Sequence, residues 1–365
     1  MRRYLALILS GICIMGLLTG CSQTSPLNTA AAAVKEIKVA FISGISGVED
    51  RGFNEFSYEG VKKFAETHMV PYGLFIPEGT EDADFSAAIS EAVEKGYSII
   101  VLPGAPFAKA CQTAAVQNPD VLFLGLGFTP LDMGVPRAPG NVAMVLHKEE
   151  QAGFLAGYAA VADGYRNLGF IGGMPVPAVV RFGHGYVQGA EKAAQALNLT
   201  GIQLKYWYSN SFVPTEKIEE KAAAWYQQGT EVIFSCGGAL YESVLKAADA
   251  CDGKIIGVDV DQSHISPRVI TSAVKDLTNT VDMALTAALK NSMNWPGSYA
   301  GTCQSLGVME NCVGLAMENA RFQNFSQEMY KVLYDALVNV SITVDNHADP
   351  DTHPVTQNIT VDWQS

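Results

Sequence analysis

The stretch Lys38 to Phe64, KVAFISGISGVEDRGFNEFSYEGVKKF, holds the densest group of residues able to do chemistry. Its middle is a loop containing Gly44, Ser46 and Gly47, followed by Glu49, Asp50, Arg51, Gly52, Phe53 and Asn54. A phosphate-cradling loop would need glycines at fixed offsets and a Lys or Ser opening the helix. Here an aromatic ring and an amide open it. That pair suits stacking on a flat ring and hydrogen-bonding a hydroxyl or ring nitrogen, although Phe53 also fits a core position and Asn54 a turn. Other chemistries lack their residues. No G-x-G-x-x-G follows a strand, and neither G-x-x-x-x-G-K-[ST] nor a G-x-S-x-G elbow occurs. His68, His147, His184, His264, His347 and His353 are scattered without ligand spacing, so neither a metal nor a cofactor is expected. Asp259 and Asp261 are the one acid pair that could resemble a catalytic dyad, and one pair does not make an active site.

The elements that must position such a loop follow from the pattern. Val39–Ile42 is a short apolar run, and Phe53, Phe56, Tyr58, Val61 and Phe64 lie near one helical face, so a strand feeds a helix through the loop. Strands are expected at Val39–Ile42, Gly73–Ile76, Ser98–Leu102, Val121–Leu126 and Asn141–Leu146, with helices Asn54–Thr67, Phe85–Lys95 and Phe107–Gln117 between them. A second series continues with helices Glu149–Ala162, Val179–Ala196, Glu216–Gln228, Ala239–Ala248 and Leu277–Lys290. Its strands are Asn167–Ile171, Leu204–Tyr208, Val232–Ser235, Lys254–Val258 and Val269–Val274. A hairpin over Gly301–Leu315, helix Ser326–Val338 and weak strands at Ile342–Asp345 and Ile359–Trp363 complete the chain. Strands without internal alternation, separated by helices, predict parallel doubly wound sheets. Ligands of such sheets bind beyond the carboxyl ends of the strands.

Two α/β series imply two lobes facing one another across a cleft. The expected organisation is a signal segment at 1–20, a tether at 21–36, lobe 1 at 37–142 with part of 262–315 crossing back, lobe 2 at 143–261, and a C-terminal helix and tail at 316–365 packing on the lobes. The chain has 365 residues, 48% of them hydrophobic, a net charge of −13 and a pI near 4.9. That acidity argues against a nucleic-acid partner, which needs a basic stripe. Arg2 and Arg3 precede an apolar run ending Leu18-Thr19-Gly20-Cys21, which reads as an export signal. The ending resembles a bacterial lipobox with Cys21 as the lipidated residue, so a lipid anchor on the extracytoplasmic face of the cell membrane is expected. Export permits a disulfide, and Cys303 and Cys312 flank the hairpin turn; Cys111, Cys236 and Cys251 read as small core residues.

Six segments occur in order: the lipobox, EDRGFN, FLAG at Phe154–Gly157, FIGG at Phe170–Gly173, GVDVDQ at Gly257–Gln262 and ITSAVK at Ile270–Lys275. Together they resemble the basic membrane protein (BMP) family of substrate-binding lipoproteins, which includes a purine nucleoside receptor. The resemblance spans about Glu36 to Leu315. It implies a type I periplasmic-binding-protein fold and capture of a nucleoside, purine favoured, for delivery to the permease and ATPase of an ABC importer by a protein that is monomeric and not an enzyme. It implies base stacking on Phe53 and on a second ring, Phe212 in the Ser211-Phe212 turn or Phe182. Ribose hydroxyls would meet Asp259, Lys275 and the Gly237–Gly238 loop, Glu149 would face the base edge, and Asp50 and Asn54 come with the first loop.

Each role has a physical reason and a plainer alternative. Asp259 and Lys275 end apolar runs, which places them at strand carboxyl ends; a carboxylate accepts two hydroxyl hydrogens, and Lys275 would offset its buried charge. Asp259 also fits a cap, Lys275 a solvated surface, Phe212 the core and Glu149 a favourable charge at a helix start. Relatives usually carry an Asp near Gly44 or Ile45, and Gly-Gly-Thr-Gly where this chain reads Gly237-Gly238-Ala239-Leu240. Those departures leave open a different solute. A surface nucleoside hydrolase and a sensor without transport are the competing functions.

Overall fold

The computed structural model describes residues 37–45 and 47–364; the signal, the tether and Cys21 lie outside them. The first sheet is built from β1 (Val39–Ile42), β2 (Tyr72–Phe75), β3 (Ile99–Pro103), β4 (Leu122–Leu126) and β5 (Val142–His147), with α1 (Phe53–His68), α2 (Asp82–Glu94) and α3 (Ala108–Gln117) as crossovers. The second sheet alternates α4 (Glu149–Asp163), β6 (Asn167–Gly172), α5 (Pro177–Ala196), β7 (Ile202–Tyr208), α6 (Glu216–Gln227), β8 (Val232–Cys236), α7 (Tyr241–Cys251), β9 (Lys254–Asp259) and β10 (Val269–Lys275). The chain then supplies α8 (Leu277–Lys290), β11 (Cys303–Leu306), β12 (Val313–Leu315), α9 (Gln327–Val338) and β13 (Ile359–Gln364). The first sheet runs β11-β5-β4-β3-β1-β2 and the second β12-β10-β9-β8-β6-β7-β13. Within them every described pairing is parallel except β10 with β12.

Burial on both faces explains the missing alternation. In β1, Val39 and Phe41 pack with Val61 and Phe64 of α1 and Val281 and Leu285 of α8. Ala40 and Ile42 pack with Phe85 and Ile89 of α2 and Ala108 and Cys111 of α3. All four strand residues are fully buried, as expected of a parallel strand between helical layers.

Three connections cross between the sheets: β5 to α4, β10 to α8, and β11 to β12. They are laced together, since Lys148 N–H donates to the Leu306 carbonyl at 2.8 Å and Asp276 N–H to the Cys312 carbonyl at 2.9 Å. His147 Nε2 sits 3.1 Å from Thr280 Oγ1. Such short adjacent segments are where a two-lobed protein hinges.

Several expectations change. β5 pairs with β4 and β11 in the first sheet, so a boundary at 142 cuts through that strand, which stays with the first sheet to His147. The hairpin over Gly301–Leu315 does not form. β11 pairs with β5 of the first sheet and β12 with β10 of the second, joined by a 3-10 turn at Val308–Glu310. Cys303 therefore opens β11 of the first sheet while Cys312 immediately precedes β12 of the second, and both are free thiols. Residues 342–345 form no strand. Gln188 takes the place of a strand partner, donating from Nε2 to the Asp345 carbonyl and accepting from its N–H at 2.8 Å. The tail ends as β13, an edge strand beside β7.

The closest helix approach is between α4 and α5. A Cβ on Gly153 would stand 2.1 Å from the Phe182 carbonyl oxygen, and one on Gly157 2.0 Å from that of Tyr186. From the other side, Gly185 would meet the Glu150 carbonyl and Gly189 that of Phe154 at 2.0 Å. Gly-x-x-x-Gly on each helix thus lets the two backbones touch. The contact fixes the first turn of α4, with Glu149, beside the second turn of α5, with Arg181 and Phe182.

Candidate functional site

Between the carboxyl ends of the two sheets is a cavity of about 460 Å³, within the range of small-molecule sites. Phe53, Glu149, Phe182, Phe212, Gly237, Gly238, Asp259 and Lys275 all line it. Phe53 enters from the first lobe as the opening residue of α1. Phe212 enters from the second, and its ring lies on two bare backbones: a Cβ on Gly173 would be 2.4 Å from Phe212 Cδ1, and one on Gly237 2.9 Å. Gly237 is also in the left-handed half of backbone space, at φ 131°. These two glycines are small because an aromatic ring occupies their side-chain space.

Asp50 and Asn54 do not line the cavity; they build the loop that presents Phe53. Asp50 Oδ1 accepts from the N–H groups of Gly52 and Glu55, and Oδ2 from Asn54 N–H and Nδ2. Asn54 Oδ1 accepts from Gly44 N–H at 3.0 Å. An acid capping orphan N–H groups at a helix start is the local reason for the D-x-x-x-N spacing. Arg51, at φ 47°, turns the loop, and its carbonyl accepts from Gln262 Nε2 at 3.2 Å. Gln262, buried after β9, thereby ties the first loop to the second sheet.

At the polar end, charges alternate in a buried row. Arg181 Nε is 2.8 Å from Glu149 Oε2, Lys275 Nζ is 3.8 Å from Glu149 Oε1, and the same Nζ is 2.8 Å from Asp259 Oδ1. Lys275 Nζ also lies 4.6 Å from the Phe53 ring centre and 5.1 Å from that of Phe182, within cation–π reach of both. Burial alone would depress the Lys275 ammonium, but Asp259 and Glu149 outweigh it and hold its pKa above the ordinary value. At Glu149, burial is outweighed by Arg181 and Lys275, and the carboxyl is held below its usual range. Burial dominates at Asp259, whose carboxyl is raised despite Lys275. His147 is pushed down to about 3, first by burial and then by Lys275, and is neutral. Two acids and two bases leave the row with no net charge.

Asp259 sits at φ 69°. A non-glycine residue held in left-handed backbone costs about 1–2 kcal/mol and is characteristic of functional sites. Here that turn directs the end of β9 toward Lys275 on its neighbour β10.

Three contributors were not expected from the sequence: Arg181, Gln262 and His147. Gln262 belongs to GVDVDQ, but nothing local says its amide crosses to Arg51. Arg181 lies in an apolar segment, and only the α4–α5 register brings it to Glu149. Of the two departures, Gly44 and Ile45 border the cavity, whereas Ala239 and Leu240 do not, Leu240 being fully buried. Among the described residues no group of His, Cys, Asp or Glu is placed to hold a metal, and no helix is long and apolar enough to cross a membrane.

Residues 37–358 match the family described as ABC transporter substrate-binding protein, PnrA-like. The chain is 30% identical over 353 residues to "Basic membrane protein B" of Borrelia garinii subsp. bavariensis, covering 92% of this chain and 95% of that protein. It is 26% identical over 340 residues to the "ABC transporter nucleoside-binding protein BmpA" of Lactococcus lactis subsp. cremoris, covering 87% and 92%. In fold it resembles a solved ABC solute-binding protein of Aeropyrum pernix, with a TM-score of 0.74, 20% identity and coverage of 86% and 95%. The Lac repressor bound to ONPG is a more distant neighbour, at 0.56, 13% identity and coverage of 81% and 86%.

Proposed function

The chain belongs to the family of PnrA-like ABC transporter substrate-binding proteins, and from that premise we propose that it captures a nucleoside, with purines favoured. The observation that carries this reading is the buried Asp259–Lys275 pair, 2.8 Å apart at the ends of adjacent strands and flanked by aromatic rings. A carboxylate accepting from vicinal hydroxyls beside an ammonium that donates to the same sugar suits ribose. Phe53 and Phe212, one from each lobe, offer π faces for a base.

The charge balance supports a neutral ligand. Lys275 is the one cation among the cavity-lining residues, and two carboxylates already face it. A nucleotide phosphate would find no unspent positive charge, so nucleosides are favoured over nucleotides. We place the protein outside the cytoplasmic membrane, held there through Cys21, passing its ligand to a permease driven by a separate ATPase. The name of the Lactococcus relative agrees with the ligand class. Nothing in the cavity supplies an activated nucleophile or paired carboxylates free to act on a glycosidic bond, which favours binding over hydrolysis.

The test is calorimetric titration of wild type and Phe53→Ala with inosine, adenosine and uridine. Stacking is worth about 1–3 kcal/mol per base and tolerates every base, so Phe53→Ala should weaken all three by roughly 5- to 150-fold. Loss confined to one base would show edge recognition instead, and undiminished binding of all three would remove Phe53 from the site.

A further inference from the structure

We propose that Arg181 is a positioning residue: by occupying Glu149, it reserves the ammonium of Lys275 for Asp259 and so presents the sugar-facing carboxylate without touching the ligand. The geometry carries the inference. Lys275 Nζ is a full ångström closer to Asp259 than to Glu149, at 2.8 against 3.8 Å, and the carboxylate it leaves is the one Arg181 holds at 2.8 Å. The Glu149, Lys275 and Asp259 side chains are 1%, 4% and 7% exposed, so solvent cannot take over the role of an absent counter-ion. Arg181 does not line the cavity. Its Nη2 is buried and finds no hydrogen-bond partner among the described residues, so the side chain is held there by Glu149 rather than by a network of its own.

Removing one partner of a buried pair leaves the other charge uncompensated. Without Arg181, two carboxylates face one ammonium. One of them must take up a proton, or Lys275 must move toward Glu149. Either outcome takes Asp259 out of the arrangement that suits two hydroxyl donors. The charged groups facing Glu149 are Arg181 from α5, Lys275 from β10, Asp259 from β9 and its neighbour Glu150, with neutral His147 from β5 and the thiols of Cys236 from β8 and Cys303 from β11 also near it. Arg181 is faced additionally by Glu150, the next residue of α4, and by Asp132. Glu150 is itself raised to about 7, chiefly by burial, so its titration must be removed before that of the row is read.

The proposal rests on the nucleoside reading for its ligand only; the charge row is tested without one. In a Glu150→Gln background of the full chain, thermal unfolding is followed from pH 5 to pH 8 with Arg181 intact and with Arg181→Met. A buried Glu149 stripped of its arginine has a folded pKa above its unfolded one. Stability is then retained below the unfolded value and lost as pH rises through the folded value. The loss caused by Arg181→Met should therefore grow from pH 5 to pH 8, by roughly 3–10 °C in midpoint. Adding Glu149→Gln should abolish that growth, and Arg181→Lys, which keeps the charge, should largely restore the intact behaviour. A loss independent of pH would mean that Arg181 only fills space and would overturn the proposal. If Arg181→Met does not fold, Arg181→Gln is put through the same series.

Inosine supplies the second arm. In the same Glu150→Gln background its affinity should be nearly constant between pH 6 and 8 with Arg181 intact, and should become pH-dependent and at least tenfold weaker with Arg181→Met. Failure of the intact protein to bind inosine would strike the nucleoside reading, while the unfolding series would still decide the role of Arg181. Unchanged, pH-independent inosine binding by the variant would overturn the positioning role.

Discussion

Asp259→Asn is expected to weaken inosine binding by about 30- to 5,000-fold while leaving the protein folded. The carboxylate is buried in an ion pair with Lys275 at the end of β9, and truncating one member of a buried charge pair at a binding site costs about 2–5 kcal/mol of binding. Asparagine is the informative replacement. It nearly keeps the shape, and it tolerates the left-handed backbone at φ 69° that alanine would strain. It removes only the second acceptor and the charge, which are what two ribose hydroxyls need. Titration calorimetry on the folded variant is the check. An affinity within threefold of wild type would sink the assignment of the sugar to Asp259.

The second large effect concerns the helix pair behind the site. Gly157→Ala or Gly189→Ala should lower the unfolding midpoint by roughly 5–10 °C, since overpacking a tight interior costs about 1–3 kcal/mol and more where nothing can swing aside. The new methyl would stand 2.0 Å from the carbonyl oxygen of Tyr186 or Phe154. These are backbone atoms of the facing helix, so α4 and α5 must part. Because α4 begins at Glu149 and α5 carries Arg181 and Phe182, separation also weakens inosine binding. Gly140→Ala is the control: a Cβ there meets nothing within 4 Å, and the residue has no left-handed backbone, so a midpoint shift within about 2 °C is expected. Equal behaviour of Gly157→Ala and the control would mean that the helices are not in backbone contact.

The fold was legible because parallel strands buried on both faces leave runs such as Val39–Ile42 that admit little else. Element ends were less legible for local reasons. The sequence points to Phe85 as the start of α2, but the helix begins at Asp82, where Glu81 and Asp84 form a reciprocal capping box that an apolar pattern does not register. The segment between Cys303 and Cys312 was misread because a turn between paired strands and a turn between two sheets look alike in one dimension.

The candidate site divides in the same way. Phe53, Asp259 and Lys275 stand where strands and helices end, so topology alone delivers them to the cleft. Asp50 and Asn54 stand there too, but unsatisfied helix N–H groups claim their side chains first. Arg181 was invisible because its role depends on how deeply α5 settles against α4, which is set by four glycines rather than by anything near the arginine. Gln262 was missed because its partner, the Arg51 carbonyl, lies 211 residues away.

The most direct measurement is calorimetric titration of the purified protein, unfolded and refolded to strip carried ligand, with inosine, 2′-deoxyinosine and hypoxanthine. A buried site built to meet hydroxyls rejects an analogue that lacks one, because its own polar groups are then left unpaired. The predicted result is tight one-to-one binding of inosine, with at least about a hundredfold loss for the deoxynucleoside and for the free base. Equal binding of all three, or binding of none, would contradict a site organised around ribose at Asp259 and Lys275.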